Sequence, residues 1–574
     1  MESEHRIPKI IKHANILRIM SFVLSLKEIK NGEKVGSVYV KGNYYKQGKN
    51  LLIFKGETYP SNMTNEELFS HVSREGIHIV KKMKGDFFII YYDDASKNIY
   101  VADDRLGMES LFYFYDKENI IFSDDFWEII NIIEPDASDI DIQSIKELVL
   151  FSYPLFYKTV VKNLEIFPPA SVGEFSLEDG IFKVTEYWDF KYNPNENLSI
   201  DEAAERLDYF LDNAMKQIKE KNSLETTYGF GLSGGLDSRL IPHYGLKHNM
   251  NLKSFIIGEK RAHILLSRDH SSARALAKHF NLHHSEMAYD SESFENKNFY
   301  DVRYFSNGPS QCFIAIHDRL PKFDVLLMGI GGTEILGSPL IPDNIMKLSE
   351  EELLDYIITK WSCVKGGKSS GMIMDENELM KAKSKIRQFI RDNSSKSNLD
   401  IFQKYLFFNF ISKNKYIGFG GLDRKRKIYS IFLNPYLFEE ALTWRPEFLM
   451  NRRLQNHLYI KKFPELSKIK AQDDKVAIFY RDKRFYILRK IFAKIALIIR
   501  GGGMRGREWA RKTKYRKYSH GILVKPNSIF NSIFDIEKII KLRKKEDMHI
   551  YVDLVKIKLI LDLIETKGYK SFFK

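Results

Sequence analysis

The chain has 574 residues, 44% of them hydrophobic and 29% charged, with a formal net charge of +14. That length calls for two or three domains. The composition is that of an ordinary soluble globular chain and excludes a membrane-embedded or disordered one. There are two cysteines, Cys312 and Cys363. They cannot build a disulfide framework or a zinc cluster, and they fit a reducing, cytoplasmic setting. The opening MESEHRIPKIIKHA has no signal-peptide core.

The first 190 residues are rich in short strand-like runs at 51–54, 87–92, 98–102, 111–115 and 120–122, with turn pairs such as Asp93-Asp94 and Asp103-Asp104 between them. They predict a sheet-dominated domain. The run 87–92 is apolar throughout, which predicts a strand covered on both faces. Near residue 195 the pattern changes. NPNENLSIDE is a polar connector, and from Asp201 a helix presents Leu207, Phe210, Leu211, Ala214 and Ile218 on one stripe. A strand over 226–232, a glycine loop, a helix and a strand over 253–258 follow. A helix from about Ser267, opened by Asp269, carries Ala273, Leu276, Ala277 and Phe280 and runs to His283-His284. A further strand covers 324–329. Strands alternating with helices predict a parallel sheet, with any ligand at the carboxyl ends of its strands. From about 345 the pattern is mostly helical. The predicted domains are 1–192 and 200–574.

The most specific segment is TTYGFGLSGGLDS over 226–238. A strand that ends in Ser233-Gly234-Gly235-Leu236-Asp237-Ser238 and turns into a helix makes an anion site. Free N–H groups and the positive end of the helix dipole converge there. The two glycines let an oxygen-rich ligand approach the backbone. Ser233 and Ser238 add hydroxyls, and Asp237 adds a carboxylate suited to Mg²⁺. The plain structural alternative is a glycine turn between strand and helix. The loop lacks the Lys-Ser/Thr ending of kinase and GTPase phosphate loops. It resembles the pyrophosphate loop of enzymes that split ATP into AMP and pyrophosphate.

Three further segments narrow the resemblance. They are Ser254-Phe255-Ile256-Ile257-Gly258, Gly329-Ile330-Gly331-Gly332-Thr333-Glu334 and Asn434-Pro435-Tyr436-Leu437. In this order they are similar to the synthetase domain of the asparagine synthetase family. In the N-terminal half, residues 52–59 (LIFKGETY), Gly85-Asp86-Phe87, Asp103-Asp104-Arg105-Leu106-Gly107, Leu111-Phe112-Tyr113, Phe167-Pro168-Pro169 and Glu186-Tyr187-Trp188 resemble a class II glutaminase domain. The resemblance implies an N-terminal glutaminase-like αββα sandwich. It implies a C-terminal α/β/α synthetase domain with a parallel sheet and a mostly helical extension. It also implies ATP and Mg²⁺ as cofactors, adenylation of a small-molecule carboxylate, displacement of AMP by an amine, and a homodimer. Ser233, Gly234, Gly235 and Ser238 would hold pyrophosphate, and Asp237 the metal. Leu232, Ile257 and Gly329 would surround the adenosine. Glu334, Arg452 and Arg453 are the catalytic candidates.

The chain also departs from the family. The glutaminase nucleophile is a cysteine at the first mature position, where this chain has Glu2 after Met1. Lys55 and Lys84 stand where the family has the Asn and Asp that grip glutamine. The N-terminal domain is therefore expected to be a scaffold without glutaminase activity. In the synthetase half, Ile330 and Thr333 replace two acids, and the family's catalytic lysine falls near Asn456. Arg452 and Arg453 are close enough to supply a charge, although an Arg fork is not a Lys point charge. Amidation or cyclisation of a substrate other than aspartate, and a nucleotide-binding pseudoenzyme, stay open.

Residues 481–520 hold fourteen Lys or Arg against Asp482 and Glu508, so nearly all the excess charge sits there. Within it, 485–500 reads as a core helix with a narrow solvated edge. The functional alternatives are a peripheral membrane contact or a site for an anionic substrate. A tRNA-modifying pyrophosphatase would use such a stretch, but no RNA-binding module accompanies it. The glutaminase-like half also argues against nucleic acid as a partner.

Overall fold

Side chains along the strand Gly85–Asp93 alternate between two cores, and this sets the architecture of the N-terminal half. Phe88, Ile90 and Tyr92 enter one core, while Phe87, Ile89 and Tyr91 enter the other. The strand is thus covered on both faces, as its apolar run requires. The computed structural model describes residues 22–151, 153–259, 268–289, 320–337, 341–361, 376–411 and 427–470. Toward the C-terminus it describes 523, 526–537, 539, 548–568 and 570. Cys312, Cys363 and the basic stretch 481–520, with its candidate membrane contact at 485–500, lie outside the described residues.

Two six-stranded antiparallel sheets form the N-terminal part. The first contains β1 (Val23–Ser25), β2 (Glu33–Val35), β3 (Val38–Lys41), β8 (Phe112–Tyr115), β9 (Ile120–Ser123) and β10 (Leu164–Ile166). The second contains β4 (Tyr45–Gln47), β5 (Asn50–Thr58), β6 (Gly85–Asp93), β7 (Asn98–Asp103), β11 (Ser171–Ser176) and β12 (Phe182–Glu186). Leu24, Val38, Val40 and Phe122 of the first sheet meet Ile53, Phe88 and Val101 of the second in one core. Helix α1 (Asn65–Glu75), closed by a Thr64–Glu67 capping box, covers the outer face of the second sheet. Helices α2 (Phe126–Ile133) and α3 (Ile142–Phe151) cover the outer face of the first.

The C-terminal part is built on a five-stranded sheet, β15-β14-β13-β16-β17, in which every pair is parallel. Its strands are β13 (Thr227–Gly231), β14 (Asn251–Glu259), β15 (His283–Tyr289), β16 (Val325–Met328) and β17 (Lys427–Ser430). Helix α4 (Ile200–Glu220) buries Leu207, Leu211, Ala214 and Ile218. Helices α5 (Leu236–Lys247) and α6 (Arg268–His279) connect the first strands, and the short α7 (Gly332–Ile335) follows β16. The helical remainder comprises α8 (Glu350–Trp361), α9 (Glu376–Asp392), α10 (Asn398–Leu406), α11 (Pro435–Ala441), α12 (Pro446–Leu449), α13 (Arg453–Lys462), α14 (Pro464–Lys468), α15 (Ser528–Ile533) and α16 (Met548–Glu565).

Two elements correct the sequence reading. Helix α6 does not reach His283-His284. Asn281 adopts a left-handed φ of 51°, and the Leu282 N–H donates to the Ala277 carbonyl. This arrangement terminates a helix and releases residues 283–289 as edge strand β15. Strand β17 lies inside the region read as helical.

The two parts share one apolar core that runs from Val23, Phe112 and Trp127 to Tyr228, Leu240 and Leu454. Ion pairs reinforce the junction. Glu57 at the end of β5 accepts from Lys427 Nζ at 2.6 Å, Tyr429 Oη at 2.8 Å and Lys221 Nζ at 3.2 Å. Burial opposes the Glu57 charge, but these partners hold its carboxyl below the usual carboxylate range. Helix α16 packs on α3, and Lys567 and Lys570 pair with Glu134. Among the described residues no helix is long and apolar enough to cross a membrane.

Candidate functional site

Strand β13 is central in the parallel sheet, and β16 is its neighbour. The Ser233–Ser238 loop and the Gly329–Glu334 turn therefore leave adjacent carboxyl ends and face each other. Position 229 on β13 has to be glycine, because a Cβ there would lie 2.2 Å from the Phe323 ring. The loop is held by its own hydroxyls. Ser238 Oγ accepts from the Ser233 N–H at 3.2 Å, and Ser233 Oγ accepts from the Gly235 N–H at 3.1 Å. The Gly234 N–H donates to Asp269 Oδ1 at 3.3 Å. Gly235 caps α5 with no side chain in the way, so the helix N-terminus opens onto the loop.

Asp237 lies where the two turns meet. Its Oδ2 accepts from Thr333 Oγ1 at 3.0 Å and its Oδ1 from Gln455 Nε2 at 2.7 Å. Gly332 lies so close that an added Cβ would be 2.6 Å from Asp237 Cγ. Thr333, which stands where the family has an acid, thus acts as a donor to Asp237. It accepts in turn from Arg452 Nη2 at 3.3 Å. Arg452 is buried and reaches this position from strained backbone. Asn451 and Arg452 are consecutive non-glycine residues with φ of 53° and 57°, a conformation retained where the surroundings enforce it. Burial pushes the Glu334 carboxyl up to about 7. The Asp237 carboxylate adds to the rise, and the Arg452 guanidinium opposes it.

The structure thus brings Ser233, Gly234, Gly235, Asp237, Ser238, Glu334 and Arg452 together. Leu232 is buried beside them, its N–H bonded to the Phe255 carbonyl at 2.8 Å. Gly329 contacts Asp237, where an added Cβ would lie 3.3 Å from Asp237 Cβ. Ile257 is half-buried on β14. Arg453 is exposed and does not join the cluster. Asn456 is buried and donates to the Asn451 carbonyl at 3.3 Å. Two participants carry no signal in the sequence. Gln455 is hidden because only the docking of α13 brings it to Asp237. Arg239 follows the loop directly, but its role depends on distant carbonyls.

The N-terminal positions that would grip glutamine are engaged elsewhere. Lys55 pairs with Asp124 at 2.9 Å and Glu109 at 3.6 Å. Lys84 pairs with Glu439 of α11 and lies over the Tyr436 ring, and Arg105 also pairs with Glu439. Asp104 is a turn-former: its carboxylate accepts from the N–H groups of Phe87, Leu106 and Met108.

Comparison with known proteins agrees with this layout. A family model described as a glutamine amidotransferase domain matches residues 33–188, and one described as asparagine synthase matches 215–398. The two matches follow one another along the chain in the order expected from the sequence, the amidotransferase-like part first and the synthase-like part second. Curated proteins from Mycobacterium bovis and Mycobacterium tuberculosis, named "Putative asparagine synthetase (glutamine-hydrolyzing)", are 20% identical over 234 residues. The match covers 39% of this chain and 34% of theirs, so the chain spans about a third of the length of these relatives. Among solved structures, the allosteric regulatory enzyme of purine biosynthesis aligns at 8% identity and a TM-score of 0.17, covering 46% of this chain and 73% of that one. A glutamine phosphoribosylpyrophosphate amidotransferase from B. subtilis aligns at 10% identity and a TM-score of 0.18, covering 52% and 63%. Neither likeness is close enough to bear on this chain.

Proposed function

We propose that this asparagine synthase-like chain is an ATP-dependent, amide-forming ligase that releases AMP and pyrophosphate. The observation that carries the reading is the phosphate-type loop on the central parallel strand, with Asp237 held between it and the Glu334 turn. Ser233, Gly234, Gly235 and Ser238 would bind pyrophosphate, and Leu232, Ile257 and Gly329 would surround the adenosine. A carboxylate oxygen of the substrate attacks the α-phosphorus, and pyrophosphate leaves. An amine nitrogen then attacks the acyl carbon, AMP leaves, and the amine loses a proton. Arg452, close to Asp237 through Thr333, would offset negative charge on the phosphates. Glu334, poised near neutrality, suits the role of proton acceptor.

Asp237 fits a Mg²⁺ ion in part. Each of its oxygens accepts one hydrogen bond, which leaves a lone pair on each. Among the described residues there is no group of three His, Cys, Asp or Glu to hold a metal, so phosphate oxygens would complete the shell. Bound there, the ion would screen phosphate charge.

We further propose that the N-terminal domain is a scaffold that does not hydrolyse glutamine. Lys55 and Lys84 support this, because both cations are committed to carboxylates. The amine would then be free ammonia or part of the substrate itself. ATP chemistry also suits a cytoplasmic location.

The test is to incubate the protein with Mg²⁺-ATP, aspartate and ammonium, and separately with a metabolite extract, and to measure pyrophosphate and AMP. Release with aspartate and ammonium makes it an ammonia-dependent asparagine synthetase. Release only with the extract points to another carboxylate. An Asp237→Ala rate equal to the wild-type rate overturns the site. A second reading, ATP binding without turnover, draws on Ile330 and Thr333 in place of acids, and predicts silence in both mixtures.

A further inference from the structure

Arg239 is fully buried directly behind the Ser233–Ser238 loop. All three of its guanidinium nitrogens donate to backbone carbonyls. Nε reaches Gly235 at 3.3 Å, and Nη2 reaches Gly234 at 3.0 Å and Lys470 at 2.6 Å. Nη1 reaches Leu466 at 3.1 Å and Ile469 at 2.9 Å. Ser272 Oγ also donates to the Lys470 carbonyl, at 3.0 Å. One side chain thus fastens both loop glycines to the end of α14.

This geometry has a consequence for anion binding. In a trans peptide the C=O and the next N–H point in opposite directions. Drawing the Gly234 and Gly235 carbonyls inward turns the N–H groups of Gly235 and Leu236 away from Arg239. Ser233 Oγ already holds the N–H side of the Gly234–Gly235 plane at 3.1 Å; Arg239 holds the carbonyl side of that plane and of the next, where glycine gives no side-chain restraint. The guanidinium also places a cation in a low-dielectric position behind the loop, where its field is poorly screened.

We propose that Arg239 is the positioning residue of the pyrophosphate loop: it fixes the loop's peptide planes, backs the loop with positive charge and couples it to residues 466–470. The proposal rests on the ATP-site reading above. Its test uses the full chain, two probes and calorimetry. The probes are inorganic pyrophosphate, which needs the loop, and adenosine, which does not. In Arg239→Lys the charge stays but the fork that spans five carbonyls is lost, and in Arg239→Gln both are lost. Pyrophosphate Kd should rise about tenfold or more in each variant, in keeping with the loss of charge-assisted hydrogen bonds, while adenosine Kd stays near the wild-type value. Equal weakening of both probes reduces Arg239 to a fold-stabilising residue and overturns the proposal, as does an unchanged pyrophosphate Kd. A wild-type chain that binds neither probe overturns the ATP-site reading instead. If the variants do not fold, hydrogen exchange on the wild-type chain decides. Pyrophosphate should slow exchange at 233–239 and at 466–470 together, and slowing at the loop alone counts against the coupling.

Discussion

Replacing Glu334 by Gln tests the electrostatics of the site without changing its shape. The folded-state carboxyl is raised from 4.5 to about 7, mainly by burial. A raised carboxyl holds its proton in the folded state at pH values where the unfolded chain has already released it. Stability contributed by that proton is complete below 4.5 and is lost as pH rises through about 7. At 1.36 kcal/mol per pH unit, the rise corresponds to about 3 kcal/mol, and residual solvent contact brings it nearer 2. Glutamine cannot ionise. Glu334→Gln should therefore match the wild-type chain near pH 4 and exceed it by about 2–3 kcal/mol near pH 8. The assay is urea unfolding of both chains across this range, in EDTA and without nucleotide. A difference that stays constant with pH would refute the reasoning, because only a titrating Glu334 makes it grow.

Three other substitutions probe the same arrangement. Gly332→Ala forces a methyl to within 2.6 Å of Asp237 Cγ; it should cost about 1–3 kcal/mol in thermal unfolding and weaken pyrophosphate binding. Gln455→Leu removes the 2.7 Å donor to Asp237; a loss of about 1–2 kcal/mol is expected, read as a higher KM for ATP or weaker pyrophosphate binding, and unchanged values would show that Gln455 does not hold the carboxylate. Lys84→Met combined with Glu439→Gln in a double-mutant cycle should give a coupling of about 0.5–1 kcal/mol, since both side chains keep partial solvent contact; a coupling of zero would remove this pair from the domain junction.

Local chemistry is what made the main features legible. The strand, glycine turn and helix at 226–238 are encoded within thirteen consecutive residues, and the apolar run 87–92 announces a doubly covered strand wherever it packs. The errors came from competition beyond the local window. His283-His284-Ser285-Glu286 has no apolar period to mark a strand, and it becomes one by pairing with β14. The helix before it ends at His279, ahead of the left-handed Asn281, a backbone conformation that helical periodicity does not reveal. Strand β17 is four residues long and is defined by its parallel pairing with β16.

The sequence by itself determined the order of the two domains, the strand–glycine turn–helix loop at 233–238 and the presence of Asp237 within it, because each depends on residues adjacent in the chain. Only the tertiary structure decided which distant groups complete the site. Gln455 and Arg452 arrive through the docking of α13, Arg453 faces solvent one position away, and Arg239 finds its carbonyls more than two hundred residues downstream. Packing fixes these distances, and packing sums weak contacts over the whole chain, so no local pattern reports them.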